Sequence, residues 1–414
     1  MTYFAYKDGK LCAENVTFFE IAKRYKTPCY VYSKNAISSK YEEFASAFGP
    51  EKHLLCYAVK ANSNISILKI LARLGSGFDI VSGGELHRVI KAGGDPRKTV
   101  FSGVGKRVEE MEFALNNDIK CFNVESQSEL YKLNETAKNI GKSAPVSLRV
   151  NPDVDAKTHP YISTGLKENK FGIAYEVAKS LYQEAAQMKN INLVGIDCHI
   201  GSQISDLRPF QDALKLLLDL IDDLKKAGID LKHIDIGGGL GITYKDETPP
   251  TAMEYVHAIT NTVKQYNLEI IMEPGRSIVG NAGVLLTKVE YLNETPFRNF
   301  AIVDAAMNDL IRPSLYNSWH DIKNIEKGSK AKKVEYDIVG PVCETADFIG
   351  KKRSLCLSEG DLLAVFSVGA YGFSMASNYN SRPRPSEILV DNDQIQEIRT
   401  RESLDDLING ERLV

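Results

Sequence analysis

Lys60 is the residue of this sequence best placed to do covalent chemistry. It follows the apolar run Cys56-Tyr57-Ala58-Val59, and a lysine at the inner end of a buried strand is partly desolvated. Desolvation lowers the pKa of the amine and favours the neutral form, which condenses with an aldehyde to a Schiff base. On this local pattern alone, a lysine whose charged end reaches solvent stays an open alternative.

Two later loops carry groups that bind anions. Gly237-Gly238-Gly239-Leu240-Gly241 follows an apolar run, and its backbone N–H groups could wrap a phosphate. Ile242 occupies the last position of a G-x-G-x-x-G pattern, which disfavours a dinucleotide site. Glu273-Pro274-Gly275-Arg276 joins a carboxylate, able to keep a pyridine nitrogen protonated, to a guanidinium suited to carboxylate or phosphate. For the glycine run, a tight turn without a ligand remains the alternative. For the Glu273–Arg276 loop, the alternative is a structural salt bridge.

Other candidate side chains are less specific. His199-Ile200-Gly201-Ser202 offers an aromatic ring and a hydroxyl, although a lone histidine is commonly a hydrogen-bonded core residue. Cys343-Glu344 follows Gly340-Pro341, and a cysteine is commonly just a small buried residue. Arg312 and Tyr316 are four residues apart and could share a helical face, with a surface pair as the default.

The elements that must position these residues alternate between strands and helices. Amphipathic stretches such as Ser63–Leu74 and Leu207–Ala227 separate short apolar runs. This alternation predicts an α/β fold with a parallel (β/α)8 barrel, whose strand ends place catalytic residues at one mouth. A doubly wound sheet stays open, since periodicity does not show closure. The predicted strands are Leu54–Val59, Phe78–Val81, Val100-Phe101, Ile119–Val124, Val146–Val150, Leu193–Ile200, Ile234–Ile236 and Ile270–Met272.

The pattern changes after about residue 280 to strands with only short helical stretches between them. We predict a barrel over residues 33–278 and a mostly β domain over residues 279–414. The N-terminal residues 1–32, with a helix over Thr17–Tyr25 and a strand at Tyr30-Val31-Tyr32, could pair with that β domain. The predicted β-domain strands are Gly283–Leu292, Phe300–Asp304, Val334–Val339, Asp361–Val368 and Glu387–Val390.

Composition excludes several other function classes. A formal charge of −3 over 414 residues gives no electrostatic reason to expect nucleic acid or an anionic membrane as a partner. The sequence has no apolar run of the roughly 18 residues that a membrane helix needs, and its N-terminus lacks a signal-peptide pattern. Seven scattered cysteines without a C-x-x-C pair suit reduced thiols, so we expect a cytoplasmic protein. We expect no metal site, because the histidines form no H-E-x-x-H motif.

Six segments, in order, resemble the fold-type III pyridoxal-phosphate-dependent decarboxylases, which share the two-domain architecture of alanine racemase. They are Tyr57-Ala58-Val59-Lys60-Ala61-Asn62, Asp79-Ile80-Val81-Ser82-Gly83-Gly84-Glu85-Leu86, His199-Ile200-Gly201-Ser202-Gln203, Gly237-Gly238-Gly239-Leu240-Gly241, Glu273-Pro274-Gly275-Arg276 and Gly340-Pro341-Val342-Cys343-Glu344. The resemblance implies pyridoxal 5'-phosphate joined to Lys60, with His199 stacked on its ring and Glu273 at its pyridine nitrogen. The other implied cofactor-binding residues are Ser202, Gly238, Gly239, Pro274, Gly275, Arg276 and Tyr371, and Arg149 is placed near the phenolic oxygen. Alanine racemases have arginine at the pyridine nitrogen, so Glu273 favours decarboxylation.

Two runs resemble the diaminopimelate decarboxylases within that family, namely Ala305-Ala306-Met307-Asn308-Asp309-Leu310-Ile311-Arg312-Pro313 and Ser374-Met375-Ala376-Ser377-Asn378-Tyr379-Asn380-Ser381-Arg382-Pro383-Arg384-Pro385. The resemblance implies decarboxylation of meso-2,6-diaminopimelate at its D-centre to L-lysine, the last step of lysine biosynthesis. The residues implied to bind the distal L-centre are Arg276, Arg312, Tyr316, Glu344 and Tyr371. Cys343 is implied as the acid that protonates Cα. Thr345 stands where the family often has serine, a change that keeps the hydroxyl.

The resemblance also implies a homodimer with shared active sites, in which the neighbour supplies the Cys343-Glu344 loop. Polar, interrupted Asn151–Lys170 is a candidate lid. Three alternatives stay open: a related decarboxylase acting on carboxynorspermidine, ornithine or arginine; a non-catalytic homologue that binds the cofactor; and an unrelated barrel enzyme without pyridoxal phosphate.

Overall fold

The predicted strands and helices are found in a computed structural model that describes residues 3–155 and 169–414. Most of the segment predicted as a lid, residues 156–168, lies outside the described residues. The chain divides into a barrel unit, Lys40–Ile242 with Thr248–Ile278, and a β-rich unit, Met1–Ser39 with Thr243–Glu247 and Val279–Val414. Among the described residues, no helix combines the length and the apolar character needed to cross a membrane.

The N-terminal segment forms a small meander, a helix and a buried strand. Its elements are β1 (Phe4–Lys7), β2 (Lys10–Ala13), β3 (Val16–Thr17), α1 (Phe18–Tyr25), β4 (Cys29–Ser33) and α2 (Lys34–Ala47). Helix α1 starts where predicted, because the Thr17 hydroxyl accepts a hydrogen bond from the Glu20 backbone N–H and caps the first turn.

Eight parallel strands of the described chain close into a barrel, which confirms the predicted fold. Each strand pairs with the next one of the ring, and the last pairs with the first. The strands are β5 (His53–Ala58), β6 (Gly77–Ile80), β7 (Thr99–Phe101), β8 (Cys121–Val124), β9 (Ala144–Asn151), β11 (Ile191–Asp197), β12 (His233–Asp235) and β13 (Glu269–Met272), while short β10 (Ile173–Ala174) pairs with β9 outside the ring.

Amphipathic helices follow the barrel strands. They are α3 (Ile65–Arg73), α4 (Gly83–Lys91), α5 (Val108–Asn116), α6 (Gln127–Asn139), α7 (Tyr175–Ala185), α8 (Arg208–Lys226), α9 (Ala252–Val263) and the short α10 (Arg276–Val279). In α8 the buried residues include Leu214, Leu217 and Leu224, so one apolar stripe packs inward at helical spacing.

An apolar layer fills the barrel interior beneath its polar end. Cys56, Val100, Cys121, Val194 and Ile271 form one buried cluster although they belong to five different strands. Side chains from strands around a closed ring meet only inside it. The interior is therefore packed. The polar residues at the carboxyl ends of the strands lie on top of this apolar layer, at the mouth of the barrel.

The β-rich unit is a sheet built around β4 and the long strand β14. Strand β14 pairs with β4, β15 and β19, and β4 also pairs in parallel with β20, so the N-terminal segment does join the C-terminal sheet. The elements are β14 (Gly283–Glu294), β15 (Asn299–Val303), α11 (Arg312–Tyr316), β16 (Ile322–Asn324), β17 (Lys333–Val339), β18 (Phe348–Cys356), β19 (Leu362–Phe366), β20 (Ser386–Asp391), β21 (Gln394–Arg399) and α12 (Leu404–Leu407).

The sequence pattern missed three strands of this sheet, the three-residue β16 and the longer β18 and β21. Strand β18 contains Lys351-Lys352-Arg353, and β21 is largely polar, so neither has the apolar run that was used to identify strands. Both are held by backbone pairing with a neighbour, β17 and β20 respectively, at the edges of the sheet. Edge strands need little apolar content, because one side of the ladder faces solvent.

Candidate active site

Lys60 lies in a short turn directly after β5, at the polar end of the barrel. Its Nζ is 2.7 Å from Asp79 Oδ2, and the side chain of Lys60 is 36% exposed while that of Asp79 is fully buried. The lysine is thus partly buried, as the strand-end position predicted. The sequence pattern did not assign Asp79 a role. Its buried carboxylate stabilises positive charge on Lys60, which opposes the neutral amine that desolvation alone predicted, and it fixes the direction of the amine.

Glu273 follows β13 and is buried at the same mouth. Its Oε1 accepts hydrogen bonds from Ser102 Oγ and Asn123 Nδ2, each at 3.4 Å. Burial raises the pKa of the Glu273 carboxyl well above its usual value, and the nearby carboxyl groups of Asp235 and Asp79 raise it further. Burial and these two carboxyl groups therefore favour the protonated form of Glu273, while the charges of Lys60 and Arg149 oppose it.

Two further buried acids stand beside Glu273, and neither was a sequence candidate. Carboxylate oxygens of Asp197, Asp235 and Glu273 lie within 4.8 Å of one another. Burial raises the pKa of both aspartates well above the usual value, and in each case a neighbouring carboxylate adds to the rise. In the sequence, the one pattern that could have indicated these two acids is an aspartate beside apolar residues in each strand, Ile196-Asp197 in β11 and Ile234-Asp235 in β12. We call these three residues the acid triad.

The glycine triplet has no room for side chains. Gly237 and Gly239 adopt left-handed φ values of +63° and +112°, which favour glycine. A Cβ on Gly238 would lie 2.2 Å from the Glu273 carbonyl oxygen, and one on Gly239 would lie 2.5 Å from the Gly201 carbonyl oxygen. The triplet is therefore packed between the loops that carry Ser202 and Glu273, as an anion-binding backbone requires.

His199 has the geometry of a neutral ring. Its Nδ1 accepts a hydrogen bond of 3.2 Å from the Gly238 backbone N–H. Burial lowers the pKa of the imidazole well below its usual value, and the positive charges of Arg149 and Lys60 lower it further. A neutral imidazole with Nδ1 as acceptor carries its proton on Nε2, and its flat face is suited to stacking on an aromatic ring.

The Glu273–Arg276 loop is joined to both neighbouring site loops. The Pro274 carbonyl oxygen accepts a hydrogen bond of 3.2 Å from the Ala58 backbone N–H, just before the Lys60 turn. Arg276 is buried, and its Nη2 donates to Ser202 Oγ at 3.0 Å. A Cβ on Gly275 would touch the Ala58 side chain at 3.0 Å. These contacts bring Lys60, His199, Ser202, the triplet and this loop into one site.

Arg149 projects from β9 into the same buried region. Its Nη1 forms an ion pair of 3.0 Å with Glu125 Oε1, and its Nε lies 3.9 Å from Asp197 Oδ2. The ring of Phe171 lies 5.0 Å from the guanidinium carbon. Arg149 is therefore a partly neutralised cation beside the acid triad.

The β-rich unit carries a second cluster, which we call the arginine cage. Arg312 begins α11 and is buried, and its guanidinium carbon lies 5.3 Å, 5.7 Å and 6.0 Å from the ring centroids of Tyr244, Tyr316 and Tyr371. Arg312 Nη2 also donates to Ser318 Oγ at 3.3 Å. The predicted helical pairing of Arg312 with Tyr316 is present. Three aromatic faces orient the guanidinium for binding an anion.

Two members of the arginine cage have features that the sequence pattern did not reveal. Tyr371 has a left-handed φ of +54°, a strained conformation for a tyrosine that is typical of functional sites. Tyr244 was missed altogether, because its segment Thr243–Glu247 is a loop that interrupts the barrel sequence and belongs to the β-rich unit. The nearby Tyr244 and His320 rings pack edge to face at 5.4 Å.

Cys343 and Glu344 differ from the buried Arg312 of the arginine cage in their exposure. Both are exposed, in the loop after β17. The loop is nevertheless ordered by hydrogen bonds, since the Cys343 N–H donates to Asn380 Oδ1 at 2.8 Å and the Val342 N–H donates to Asp347 Oδ2 at 2.8 Å. The β-rich unit of one chain therefore presents this cysteine and glutamate at its surface.

The two runs that resemble diaminopimelate decarboxylases hold each other in place. Arg382 Nε donates to Asn308 Oδ1 at 3.2 Å, and the Ser377 N–H donates to the Asn308 carbonyl oxygen at 2.9 Å. Arg382 Nη2 also donates to the Asp304 carbonyl oxygen at 2.6 Å. These contacts set the loop that leads into α11, so both runs help to position Arg312.

Comparison with known proteins decides the family. Residues 34–280 match the pyridoxal-binding domain of the pyridoxal-dependent decarboxylases. The diaminopimelate decarboxylase of Pseudomonas aeruginosa is 56% identical over 414 residues, covering 100% of both chains. The chain belongs to the diaminopimelate decarboxylases.

Solved structures of this family agree. Diaminopimelate decarboxylase from Helicobacter pylori complexed with L-lysine has a TM-score of 0.92 and 45% identity, over 95% of this chain and 98% of that one. The family member from M. jannaschii in co-complex with L-lysine has a TM-score of 0.94 and 41% identity, over 99% and 98%. As a diaminopimelate decarboxylase, the chain is a carboxy-lyase, and its cofactor is pyridoxal 5'-phosphate.

The residues at the barrel mouth of this diaminopimelate decarboxylase fit the cofactor. Lys60 offers an amine for the aldehyde, and the side-chain-free glycine triplet lets its backbone, including the Gly239 N–H, approach a phosphate closely. Glu273 is a buried carboxyl group at the same mouth and can pair with a ring nitrogen. Each chemical part of pyridoxal phosphate thus has a matching group within the barrel unit.

Proposed function

We propose that this chain removes the carboxylate at the D-centre of meso-2,6-diaminopimelate and forms L-lysine and carbon dioxide. The observation that carries the proposal is the convergence of Lys60, the glycine triplet and Glu273 at one barrel mouth, in a chain of this family. The presence of L-lysine in two structures of relatives supports lysine as the product.

The cofactor, when bound, supplies an aldehyde that condenses with amines and a ring that accepts the electron pair of the breaking carbon–carbon bond. Lys60 would hold it covalently, oriented by Asp79 at 2.7 Å. Glu273 would place its charge beside the ring nitrogen and so stabilise the ring when it accepts electrons. The neutral face of His199 would stack on the ring and shield it from water.

The phosphate end would be held by backbone and side-chain donors. The Gly239 N–H would supply the positive end of a dipole and Arg276 a full positive charge, while Gly238, whose N–H donates to His199 Nδ1, would line the phosphate site with its backbone. Because Ser202 accepts its hydrogen bond from Arg276, its own hydroxyl proton can donate to a phosphate oxygen. Pro274, Gly275 and Tyr371 complete the proposed set of cofactor-binding residues, with Arg149 near the phenolic oxygen.

Substrate recognition would use the arginine cage. Arg312 is suited to the distal carboxylate, since three aromatic rings orient it and its fork can bind two oxygens. Tyr316, Tyr371 and Arg276 would share this binding, and Glu344 would pair with the distal ammonium. A fully paired site of this kind rejects analogues that lack either charge, because its own charged groups would then be buried unpaired.

We also propose that the chain works as a cytoplasmic homodimer whose sites are shared. Cys343, the proposed acid for Cα, and Glu344 are exposed on the β-rich unit in an ordered loop, so a second copy can receive them. In this arrangement residues 33–278 bind the cofactor, and residues 1–32 with 279–414 supply the recognition groups. Mixing Lys60→Ala with Cys343→Ala chains should restore part of the activity through heterodimers. Exchange of subunits without any recovery would contradict shared sites.

The deciding experiment is the visible absorption spectrum of the purified protein, paired with turnover of meso-diaminopimelate. Lys60→Ala should abolish the cofactor–lysine band and lower kcat by at least about 10⁴-fold, as removal of a covalent catalytic group does. Lys69→Ala, at an exposed position of α3, is the matched control and should keep both. An unchanged band in Lys60→Ala would refute the assignment.

A substrate panel separates the remaining candidates. Meso-diaminopimelate should exceed carboxynorspermidine, ornithine and arginine in kcat/KM by orders of magnitude, because each of those lacks the distal amino-acid group that Arg312 and Glu344 would read. A preference for one of them would replace the proposed substrate. Bound cofactor with no turnover of any substrate would indicate a non-catalytic homologue.

A further inference from the structure

The loop after α11, residues 317–321, contacts the arginine cage, and we call it the support loop. Its Ser318 Oγ accepts a hydrogen bond of 3.3 Å from Arg312 Nη2. Its His320 ring packs edge to face against Tyr244 at 5.4 Å, and the Tyr244 ring centroid lies 5.3 Å from the Arg312 guanidinium carbon. The position of the support loop therefore decides where two neighbours of Arg312 lie, because Ser318 belongs to the loop and Tyr244 packs on it.

Arg353 of β18 holds the support loop in place. Its guanidinium carbon lies 3.1 Å from the ring centroid of Trp319, and its Nη2 donates to the His320 carbonyl oxygen at 2.9 Å. The residue is buried, with 6% of its surface exposed. A flat guanidinium stacks on an indole and at the same time donates along fixed directions. One side chain thus fixes two consecutive residues of the loop.

Strand β18 leaves room for this contact. A Cβ on Gly350, in the same strand, would lie 2.8 Å from Arg353 Nε and 3.1 Å from Arg353 Nη2. It would also lie 2.7 Å from the Ile322 side chain in β16. The missing side chain at Gly350 therefore provides the space that the guanidinium occupies.

Stability alone does not explain a buried arginine at this position. Arg353 Nε and Nη1 are buried and have no hydrogen-bond partner among the described residues. Burial lowers the pKa of Arg353 to about 10, and the charges of Asp321 and Asp337 oppose this shift, so the residue is a cation at neutral pH. Those two acids are paired with Lys323 and Arg298 respectively. A buried cation without its own carboxylate costs stability, whereas its shape and directed hydrogen bonds fix a loop.

Trp319 also joins the support loop to the loop that carries Tyr244. Lys245 follows Tyr244 in the chain, and its Nζ lies 4.9 Å from the Trp319 ring centroid. Adjacent residues of one loop thus pack on adjacent residues of the other. Because Arg353 stacks on the same indole, it fixes the place where both loops meet.

We propose that Arg353, acting through Trp319, is a positioning residue that fixes the arginine cage and thereby sets the affinity for the distal amino-acid group of the substrate. This inference rests on the proposed role of Arg312. Arg353 makes no proposed contact with the substrate or the cofactor. It acts on the two loops that place Ser318 and Tyr244 beside Arg312, so its loss weakens substrate binding and leaves the chemistry at the barrel mouth unchanged.

The first test is the kinetics of Arg353→Met in the full-length holoenzyme. The substitution keeps the length of the side chain and removes both the stacked charge and the hydrogen bond to His320. KM for meso-diaminopimelate should rise by roughly 3–30-fold, a range typical of coupled neighbouring side chains, with kcat and the cofactor band unchanged. Lys351→Met, at an exposed position of β18, is the matched control and should behave like wild type. A lower kcat with an unchanged KM would overturn the proposal.

A double-mutant cycle separates positioning from general damage to the sheet. The affinity for L-lysine, measured by calorimetry, reports on the amino-acid site without any turnover. Arg353→Met should weaken L-lysine binding by a similar factor to the rise in KM. In an Arg312→Met background it should have little further effect, because the group that it positions is already gone. Equal losses in the two backgrounds would show that Arg353 does not act through Arg312, and the proposal would be wrong.

The fluorescence of Trp319 reports on the stack itself, because this residue is the single tryptophan of the chain. In wild type the indole should rotate only with the whole protein. Arg353→Met should add a fast nanosecond component to the decay of its anisotropy, since the support loop loses its anchor. Lys351→Met should not. An indole that stays equally rigid in Arg353→Met would contradict the anchoring role.

The outcomes separate this inference from the proposed function. A protein that decarboxylates nothing but shows the non-additive loss of L-lysine affinity would refute the function and leave the positioning role standing. Normal turnover by a wild-type-like Arg353→Met would do the reverse. If Arg353→Met does not fold, Gly350→Ala replaces it, because the added Cβ displaces the guanidinium without removing it. Gly350→Ala should weaken L-lysine binding in the same direction, and an unchanged affinity would refute the inference.

Discussion

The barrel mouth and the arginine cage hold buried charge in opposite ways. At the mouth, carboxyl groups of the acid triad stand together and receive hydrogen bonds from Asn123 and Ser102, and their pKa values are raised. In the cage, a single buried cation, Arg312, is surrounded by tyrosine rings. The first arrangement groups acids whose protonation can change, and the second fixes the direction of a permanent charge.

The difference fits the roles that we propose for the two sites. Reaction chemistry needs groups whose protonation can change, and the rigid ends of barrel strands hold such groups close together. Recognition of a charged substrate needs a charge that never changes, and arginine supplies it at any physiological pH. Substitutions at the two sites should therefore differ in kind: the mouth should affect kcat and the cage should affect KM.

Among the substitutions that compare the two sites, the largest effect is expected at Glu273. Glu273→Gln keeps the shape and removes the charge, so kcat should fall by about 10²–10³-fold, as loss of one electrostatic catalytic group does. KM should change little. Glu269→Gln, at the other end of β13 where Glu269 pairs with Lys120 at 2.6 Å, is the control and should stay close to wild type. A loss of activity that appeared only as a higher KM, with kcat unchanged, would contradict the proposed distinction between the two sites.

Arg312 should give the opposite pattern. Arg312→Met retains length and apolar contact but leaves the distal carboxylate unpaired, at a cost of about 2–5 kcal/mol. Steady-state kinetics should show the loss mainly in KM, by on the order of 10²-fold, with the cofactor spectrum unchanged. Arg412→Met, at an exposed C-terminal position, serves as the control. Loss of the cofactor band in Arg312→Met would mean that the cage supports the cofactor.

The glycine triplet tests whether the mouth depends on backbone geometry. Gly239→Ala combines a φ of +112° with a Cβ 2.5 Å from a carbonyl oxygen, so it should lower stability by about 1–3 kcal/mol and weaken cofactor binding. Gly228→Ala, with a φ of +82° and no atom within 4 Å of the added Cβ, should cost about 1 kcal/mol and leave the cofactor bound. Thermal unfolding and cofactor titration measure both. If Gly239→Ala and Gly228→Ala had equal effects on stability and cofactor binding, close packing around Gly239 would not explain them.

The smallest effect is expected at Tyr244. Tyr244→Leu removes one ring of the cage, and a cation–aromatic contact contributes about 0.5–2 kcal/mol, so KM should rise by roughly 2–30-fold. Tyr244→Phe keeps the ring and should bind like wild type. If Tyr244→Phe were as impaired as Tyr244→Leu, the tyrosine hydroxyl and not the ring face would be responsible.

The strand and loop order of the barrel could be predicted from the sequence. The eight apolar runs are local, and each ends at the polar or glycine residues that the structure places at the mouth. Lys60, Glu273 and the triplet could be identified for the same reason, because they are adjacent in sequence to the strands that carry them. Polar strands such as β18 were missed, since backbone pairing and not side-chain pattern holds them.

The residue order alone predicted the candidate covalent and anion-binding groups and the succession of elements that carry them, because contiguous residues encode those features. The folded chain was needed to show that Asp197, Asp235 and Asn123 surround Glu273, that Tyr244 packs on Arg312, and that Cys343 is exposed. These neighbours come from separate strands and loops. Closure of the barrel and pairing within the β-rich sheet bring them together, and no local pattern records contacts between distant segments.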